Sequence, residues 1–485
     1  MNELVRLSAT EVASLLQSRK LSSLELVDAC LAQIDRLDPK LKAFITVREK
    51  EARQEARAAD DQGGGKERGA LHGIPVAVKD IISTAGIRTT YGSAEFADHV
   101  PDADASSVAR LKEAGAIVIG KTSTPEFGAY MNTRNVFVGT TLNAWDSAWS
   151  SGGSSGGTAV AVATGMAPLG LGTDLGGSVR HPAAFNGIAA LRPTPGLVPA
   201  WPSSWPYDSF GVTGPMCRTV ADLDLMMRVL GQPDPRSALA PLPSYRGPSG
   251  ERADGLRIGW TEDLGGLFPV DAAVRIVMQK ARERISSLGF NITDASPDFS
   301  GIEKSIVPLR MVRALIQHNS RLSRVDHLEN KLLARLLDES KGKTLSDVAA
   351  AEIARSNVWQ SVSTFFQNFD VLALPISQMV GFRPNQDTAS EIEGKPVASV
   401  LDSALSTYAI TMLGVPAMCI PCGFSDDGRP IGLQLVAAPG QDARLIGLGM
   451  FLEKSLGWTD IFPPVALETP QDRDTQQHSA KIATE

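Results

Sequence analysis

One stretch constrains this chain more than any other. Residues 150 to 196 read SSGGSSGGTAVAVATGMAPLGLGTDLGGSVRHPAAFNGIAALRPTPG, with glycine at eleven positions interleaved with small hydroxyls. Backbone stripped of side chains in this way can approach a ligand or another segment closely. A flexible linker is also glycine-rich, but Val160, Val162, Ala163, Leu169 and Leu171 add an apolar pattern that linkers lack. The segment is therefore expected to be packed, with a helix over about 155–165.

The elements around it set the fold class. IPVAVKDII, beginning at Ile74, is a short continuous apolar run, as expected of a strand covered on both faces. The same pattern recurs in AIVI at 116–119, LRIGW at 256–260 and FDVLALPI at 369–376. Helical spacing fills the intervals: 8–36, opening on a Ser-x-x-Glu capping box, then 40–58, 106–114, 270–289 and most of 303–370, with a last helix ending the region 407–458. This alternation predicts an α/β fold with one large central mixed sheet flanked by helices. The expected divisions are an N-terminal helical segment at 1–60, the main domain at 61–463 and a polar, disordered tail at 464–485. The loops 60–69 and 231–255 are the least structured internal segments.

Composition excludes several classes. A net charge of −7 without a basic run leaves no footprint for nucleic acid or an anionic membrane surface. No stretch reaches the ~18 apolar residues a membrane helix needs. Four cysteines, Cys30, Cys217, Cys419 and Cys422, are too few for a disulfide framework in 485 residues, so a cytoplasmic location is expected. Cys419 and Cys422 form a C-x-x-C pair, but no second Cys/His pair lies nearby to complete a metal site, and they read as core thiols.

Two short motifs invite other functions. GAIVIGKT at 115–122 matches the phosphate-loop pattern, yet its first glycine ends a helix, its interior is a strand, and Pro125 breaks any helix after the lysine. GGSSG at 152–156 matches the G-x-S-x-G elbow of Ser-His-Asp hydrolases, but a poor strand precedes it. Of the histidines that follow, His181 sits in the wrong chain order, His478 in the tail, and His318 and His327 in polar helical surroundings.

The segment GGSSGGTAVAVATGMAPLGLGTDLGGSVRHPAAFNGIAALRPT closely resembles the signature of the amidase signature family. The likeness extends to LHGIPVAVKD at 71–80, GKTSTPEFG at 120–128, GPMCRTVADL at 214–223, LALPIS at 372–377 and GVPAMCIPCGFSDDGRPIGLQLV at 414–436, spanning about residues 25–455 in the family's order. The resemblance implies a metal-free and cofactor-free Ser-Ser-Lys amidase. Lys79 falls where the family has its base, Ser154 where a serine follows a cis peptide bond, and Ser178 where the nucleophile lies, at the family's own spacing of 178 − 154 = 24. It also implies an oxyanion hole from the amides of Leu175, Gly176, Gly177 and Ser178. Ser155, Asp174 and Arg180 would support that loop, and Gly128, Ala129 and Tyr130 would border the substrate. The implied partner is a small-molecule amide, and a homodimer is left open. GKT would be part of the loop after a strand.

The implied chemistry is physically coherent. A serine hydroxyl needs a base as it attacks, and lysine serves only when neutral. With an unperturbed pKa of ~10.4, about one lysine in 2,500 is neutral at pH 7. Burial in IPVAVKDII supplies the desolvation that lowers that pKa, and strand alternation turns Asp80 to the opposite face.

Within the family, some members are glutamine-hydrolysing components of the aminoacyl-tRNA amidotransferase. They carry an acid twelve positions before the proline of GLPA, whereas counting back from Pro416 gives Ala404 here. Their RRI and SNLxRYDG segments are also absent, which favours a stand-alone amidase. PAWPSSWPYDSF at 199–210 gathers Trp201, Trp205, Tyr207 and Phe210. It is either a pinned surface loop or the cap of an acyl pocket; the latter would suit aryl or apolar acyl amides, anilides or hydrazides.

Overall fold

The four covered apolar runs fall within one eleven-stranded mixed sheet. The computed structural model describes residues 1–62, 68–239, 243–248 and 255–467. The remaining parts of the loops at 60–69 and 231–255, and of the polar tail beyond 467, lie outside the described residues; the first residues of the expected disordered tail, Pro464–Leu467, instead form a short helix that buries Val465 and Ala466. The strands are β1 Phe44–Val47, β2 Pro75–Lys79, β3 Ile117–Thr122, β4 Leu169–Asp174, β5 Ala189–Arg192, β6 Val212–Cys217, β7 Arg257–Trp260, β8 Asn291–Asp294, β9 Val371–Pro375, β10 Ala417–Phe424 and β11 Pro430–Val436. Their order across the sheet is β1-β3-β2-β4-β6-β5-β10-β11-β9-β7-β8.

Direction within the sheet decides where the site forms. β2 lies between β3 and β4 and runs parallel to both. Their carboxyl ends therefore emerge together, which is where open α/β sheets place their ligands. That one edge carries Lys79 at the end of β2, the 122–128 loop after β3 and the 174–180 loop after β4. The helix Gly156–Ala163 packs against β2, β4 and β6 with every residue buried. Its glycines permit this approach: a Cβ on Gly157 would stand 2.4 Å from the Ala43 carbonyl oxygen.

The N-terminal segment departs from the sequence expectation in two places. The stretch 8–36 is not one helix, since Ala9–Gln17 and Ser23–Leu41 are separate, each opened by its own capping box on Ser8 and Ser22. The stretch 40–58 is not a single helix either. Lys42 ends the preceding helix in a left-handed conformation (φ 56°), FITV then pairs antiparallel with β3, and the next helix is Glu49–Asp61. Four β-branched and aromatic residues gain more from a sheet edge than from helical continuation, and that edge exists only in the tertiary structure.

GKT likewise belongs to the strand, because β3 runs on to Thr122. Lys121 is fully buried there, bonded to the Ile82 carbonyl (2.6 Å) and the hydroxyls of Thr84 (3.0 Å) and Thr89 (2.7 Å). The four cysteines are free and buried, and burial pushes the Cys422 thiol up to about 12. Among the described residues no helix is long and apolar enough to cross a membrane.

Val5, Ala9, Val12 and Leu16 join the same hydrophobic core as the sheet. A buried carboxylate anchors them: Asp222 accepts from the amides of Ala9 (3.0 Å) and Thr10 (2.9 Å). Two first-turn N–H groups of the helix thus find their partner 212 and 213 residues away. Asp222→Ala should therefore cost about 1–3 kcal/mol in urea unfolding and expose the N-terminal helix to limited proteolysis.

Candidate active site

Lys79 is the last residue of β2 and is wholly buried. Its Nζ lies 2.7 Å from Ser154 Oγ and 3.0 Å from Thr173 Oγ1. Burial draws its pKa down to about 7, against a weaker upward pull from Asp174. Asp80 faces away: its carboxylate accepts from the Thr90 amide (2.9 Å) and lies 3.9 Å from Lys121. Both partners of the Lys79 amine are thus neutral hydroxyls. Sequence reasoning alone misses Thr173; its signal is its place beside Asp174 on a strand parallel to β2.

Ser154 follows a cis peptide bond from Gly153 and is 1 % exposed. Gly128 (φ 65°) lies against it, where a Cβ would come within 3.3 Å of Ser154 Oγ and 3.8 Å of Lys79 Nζ. A side chain there would crowd the hydroxyl–amine pair. Ser155, the next residue, donates its amide to the Ser178 carbonyl at 3.1 Å and so ties the two serine loops together.

Ser178 lines a cleft. The loop that presents it is built on Asp174. One carboxylate oxygen accepts from the Gly177 amide (3.0 Å) and Arg180 Nη2 (2.7 Å); the other accepts from the Val179 amide (3.1 Å) and Arg180 Nε (3.0 Å). Arg192 stands 3.5 Å from the same carboxylate, and all three side chains are fully buried. Burial alone would raise the Asp174 carboxyl, but Arg180 and Arg192 hold it well below the usual carboxylate range. Arg180 continues to Gln434 Oε1 (2.6 Å) and Thr411 Oγ1 (2.8 Å), pinning the loop to β11 and the helix Leu405–Met412.

The four amides singled out for an oxyanion differ in their engagement. Gly176 donates to Thr411 Oγ1 (3.2 Å) and Gly177 to Asp174, whereas the Leu175 and Ser178 amides donate to no protein acceptor among the described residues. Gly176 (φ 84°) also lies flat against Tyr408, so a Cβ there would sit 2.1 Å from the ring.

His181 is in the cleft wall, one turn from Ser178, but its Nε2 meets Thr407 Oγ1 at 2.9 Å. Burial and then Arg180 draw its pKa down to about 3, so the ring is neutral. Gly128, Ala129 and Tyr130 line the cleft. The aromatic loop 199–210 does not: the open choice resolves to a surface loop. Its Trp201 carbonyl accepts from Ser106 N (2.7 Å), Arg236 lies over the Trp201 ring (4.0 Å to the centroid) and Tyr207 is 69 % exposed. The cleft is walled instead by the helices Glu303–His318 and Lys331–Ser340, which share a small apolar cluster with Phe127 and Ala129.

One charged group in that wall lacks a protein partner. Arg310 is 7 % exposed and lines the cleft; its Nη1 is buried without a hydrogen bond, and its guanidinium lies over Tyr408 (4.9 Å to the centroid). A cation–π contact returns about 0.5–2 kcal/mol, whereas removing a charge from water costs several kcal/mol. The ring alone does not balance the burial.

The amidase family model matches residues 25–446. An acylamidase of Rhodococcus erythropolis is 35 % identical over 95 % of this chain and 98 % of its own length. A glutamyl-tRNA(Gln) amidotransferase subunit of Roseiflexus castenholzii is 33 % identical over 96 % and 99 %. Among solved structures, a bacterial aryl acylamidase of the amidase signature family superposes with a TM-score of 0.85 at 25 % identity, covering 96 % of this chain and 99 % of that one. A 6-aminohexanoate cyclic dimer hydrolase gives 0.82 at 25 %, covering 95 % and 99 %. The chain belongs to the amidase family and is a hydrolase of amide C–N bonds.

Proposed function

We propose that this chain hydrolyses a small carboxylic amide through an acyl-enzyme on Ser178, with Lys79 as the base acting through Ser154. The observation that carries the reading is the buried Lys79 amine, 2.7 Å from Ser154 Oγ and bonded to no carboxylate. A lysine with a pKa near 7 is substantially neutral at neutral pH and has a lone pair free to take a proton.

As Ser178 Oγ attacks the carbonyl carbon, its proton passes to Ser154 Oγ and the Ser154 proton to Lys79 Nζ. The carbonyl oxygen becomes an oxyanion received by the Leu175 and Ser178 amides, each such donor contributing about 3–4 kcal/mol to lowering the barrier. The amides of Gly176 and Gly177 shape the loop, the first against Thr411 and the second on Asp174. Collapse of the intermediate breaks the C–N bond, and the proton returns from Lys79 through Ser154 to the departing nitrogen. Water then attacks the ester while the same relay removes its proton, and collapse of the second intermediate breaks the acyl C–O bond, returns the proton through Ser154 to Ser178 Oγ and releases the acid. Thr173 holds the Lys79 amine on the Ser154 side. The relay requires Ser178 Oγ to swing toward Ser154 when substrate binds, since catalytic hydrogen bonds often tighten only in the complex.

The cleft favours an acylamidase over a glutaminase. Glutamine presents an ammonium that calls for a carboxylate, and no Asp or Glu among the described residues lines the cleft; Ala404 does. Phe127, Met131, Leu332, Leu333 and Leu336 offer an apolar wall suited to an aryl or alkyl substituent.

Ser178→Ala should abolish turnover and the fluorophosphonate adduct that intact mass spectrometry finds on the wild type; an adduct mapped to Ser154 or Ser155 would overturn the assignment. Because Lys79 must be neutral to act, kcat/KM for an uncharged anilide should rise with pH through about 7 and then level, its rate being lost as pH falls. Lys79→Met should lower kcat by about 10²–10⁴ with little change in melting temperature. Wild-type rates in that variant at pH 7 would remove lysine from the mechanism.

A further inference from the structure

We infer that the preferred amide carries a carboxylate, on a substituent remote from the scissile bond, and that Arg310 receives it. The inference deepens the acyl-enzyme reading and rests on it.

Three observations converge on the same side chain. Arg310 is more than nine-tenths buried, lines the cleft and leaves Nη1 without a hydrogen bond. Buried polar groups in native proteins are almost always satisfied, so an orphaned one calls for a missing partner. Its cationic neighbour in the cleft wall is already matched: Arg313 Nε bonds Asp208 at 2.7 Å. Finally, none of the described residues lining the cleft is acidic. The positive charge of Arg310 is therefore uncompensated at this site, and its natural complement must come from the ligand.

The geometry is that of a recognition residue. Arg310, Arg313, Ala314 and Gln317 all line the cleft, as expected of one helical face at i, i+3, i+4 and i+7. The guanidinium rests on Tyr408, and Tyr408 in turn covers Gly176 of the nucleophile loop. One aromatic ring thus separates the anion receptor from the oxyanion loop, which fixes the receptor relative to the reacting carbonyl. A planar guanidinium fork matches a carboxylate with two parallel N–H···O bonds, which a lone aromatic contact leaves unused. The apolar residues opposite would enclose the chain between the carboxylate and the amide. Arg310 is thus a specificity-determining residue that takes no part in proton transfer.

The test compares wild-type kcat/KM on matched 4-nitroanilides: succinyl, glutaryl and adipyl against butanoyl, pentanoyl and hexanoyl, with N-butanoyl-4-aminobenzoate against butanoyl anilide to place the carboxylate on the amine side. At least one carboxylate should be preferred tenfold or more over its neutral counterpart. In Arg310→Met that ratio should fall at least tenfold, with Arg310→Lys between the two. As a measure that needs no variant, glutarate should slow fluorophosphonate labelling of wild-type Ser178 at concentrations where 1,5-pentanediol does not. Ratios at or below one for every pair, with no protection by glutarate, would overturn the inference while leaving the acyl-enzyme intact if Ser178 is still labelled and the neutral anilides are still cleaved. Absence of both labelling and cleavage would sink the acyl-enzyme reading, and this one with it.

Discussion

The active loop depends on one buried carboxylate. Asp174 ends β4 and gathers two backbone amides and the Arg180 guanidinium, with Arg192 beside it. A carboxylate and two arginines without solvent would be costly as isolated ions; together, with hydrogen bonds on both carboxylate oxygens, they form a rigid knot. That knot ties the nucleophile loop to β11 and to the helix at 405–412 through Gln434 and Thr411. A nucleophile on so glycine-rich a segment would otherwise wander, and preorganised donors are of use only if they stay in place.

The charge in that knot matters for Lys79 as well. Asp174 is the acid that pulls the Lys79 pKa upward, and it does so weakly compared with desolvation. Its charge is already engaged by Arg180 and Arg192. The two halves of the site therefore divide the work: the carboxylate shapes the loop, and the amine stays unpaired among hydroxyls. Had Asp80 turned inward, the lysine would have a salt bridge that keeps it protonated at neutral pH and unable to take a proton; instead Asp80 lies with Thr90 and Lys121. Two lysines on neighbouring strands, Lys79 and Lys121, are both wholly buried with hydroxyl partners, yet only the Lys79 amine meets Ser154.

The cleft has two walls of different origin. The wall near the chemistry comes from loops at the carboxyl edge of β2, β3 and β4. The far wall comes from the helices at 303–318 and 331–340, which share a small apolar cluster through Met311, Ala314, Leu333, Leu336 and Leu337, while Ile306 and Leu309 of the first helix reach the main core. Arg310, Gln317 and His318 enter the site from this wall. Burial together with Arg321 and Arg313 draws the His318 pKa down to about 4, so that ring adds no charge at neutral pH.

The sequence by itself determined four of the covered strands, the packed glycine-rich segment, the family resemblance and the positions in it of Lys79, Ser154 and Ser178. Each is written locally: a covered strand is a continuous apolar run, and a close backbone approach is a missing side chain. What only the tertiary structure decided is whatever depends on a distant partner. FITV became an edge strand because β3 was there to pair with it, and GKT stayed in its strand for the same reason. The aromatic loop 199–210 went to the surface beside Ser106, although its composition suited a pocket equally well. Thr173 joined Lys79 because β2 and β4 run parallel. Arg310 reads in sequence as one more arginine on a polar helix; its lack of a counter-charge is a property of everything around it, which no local pattern records.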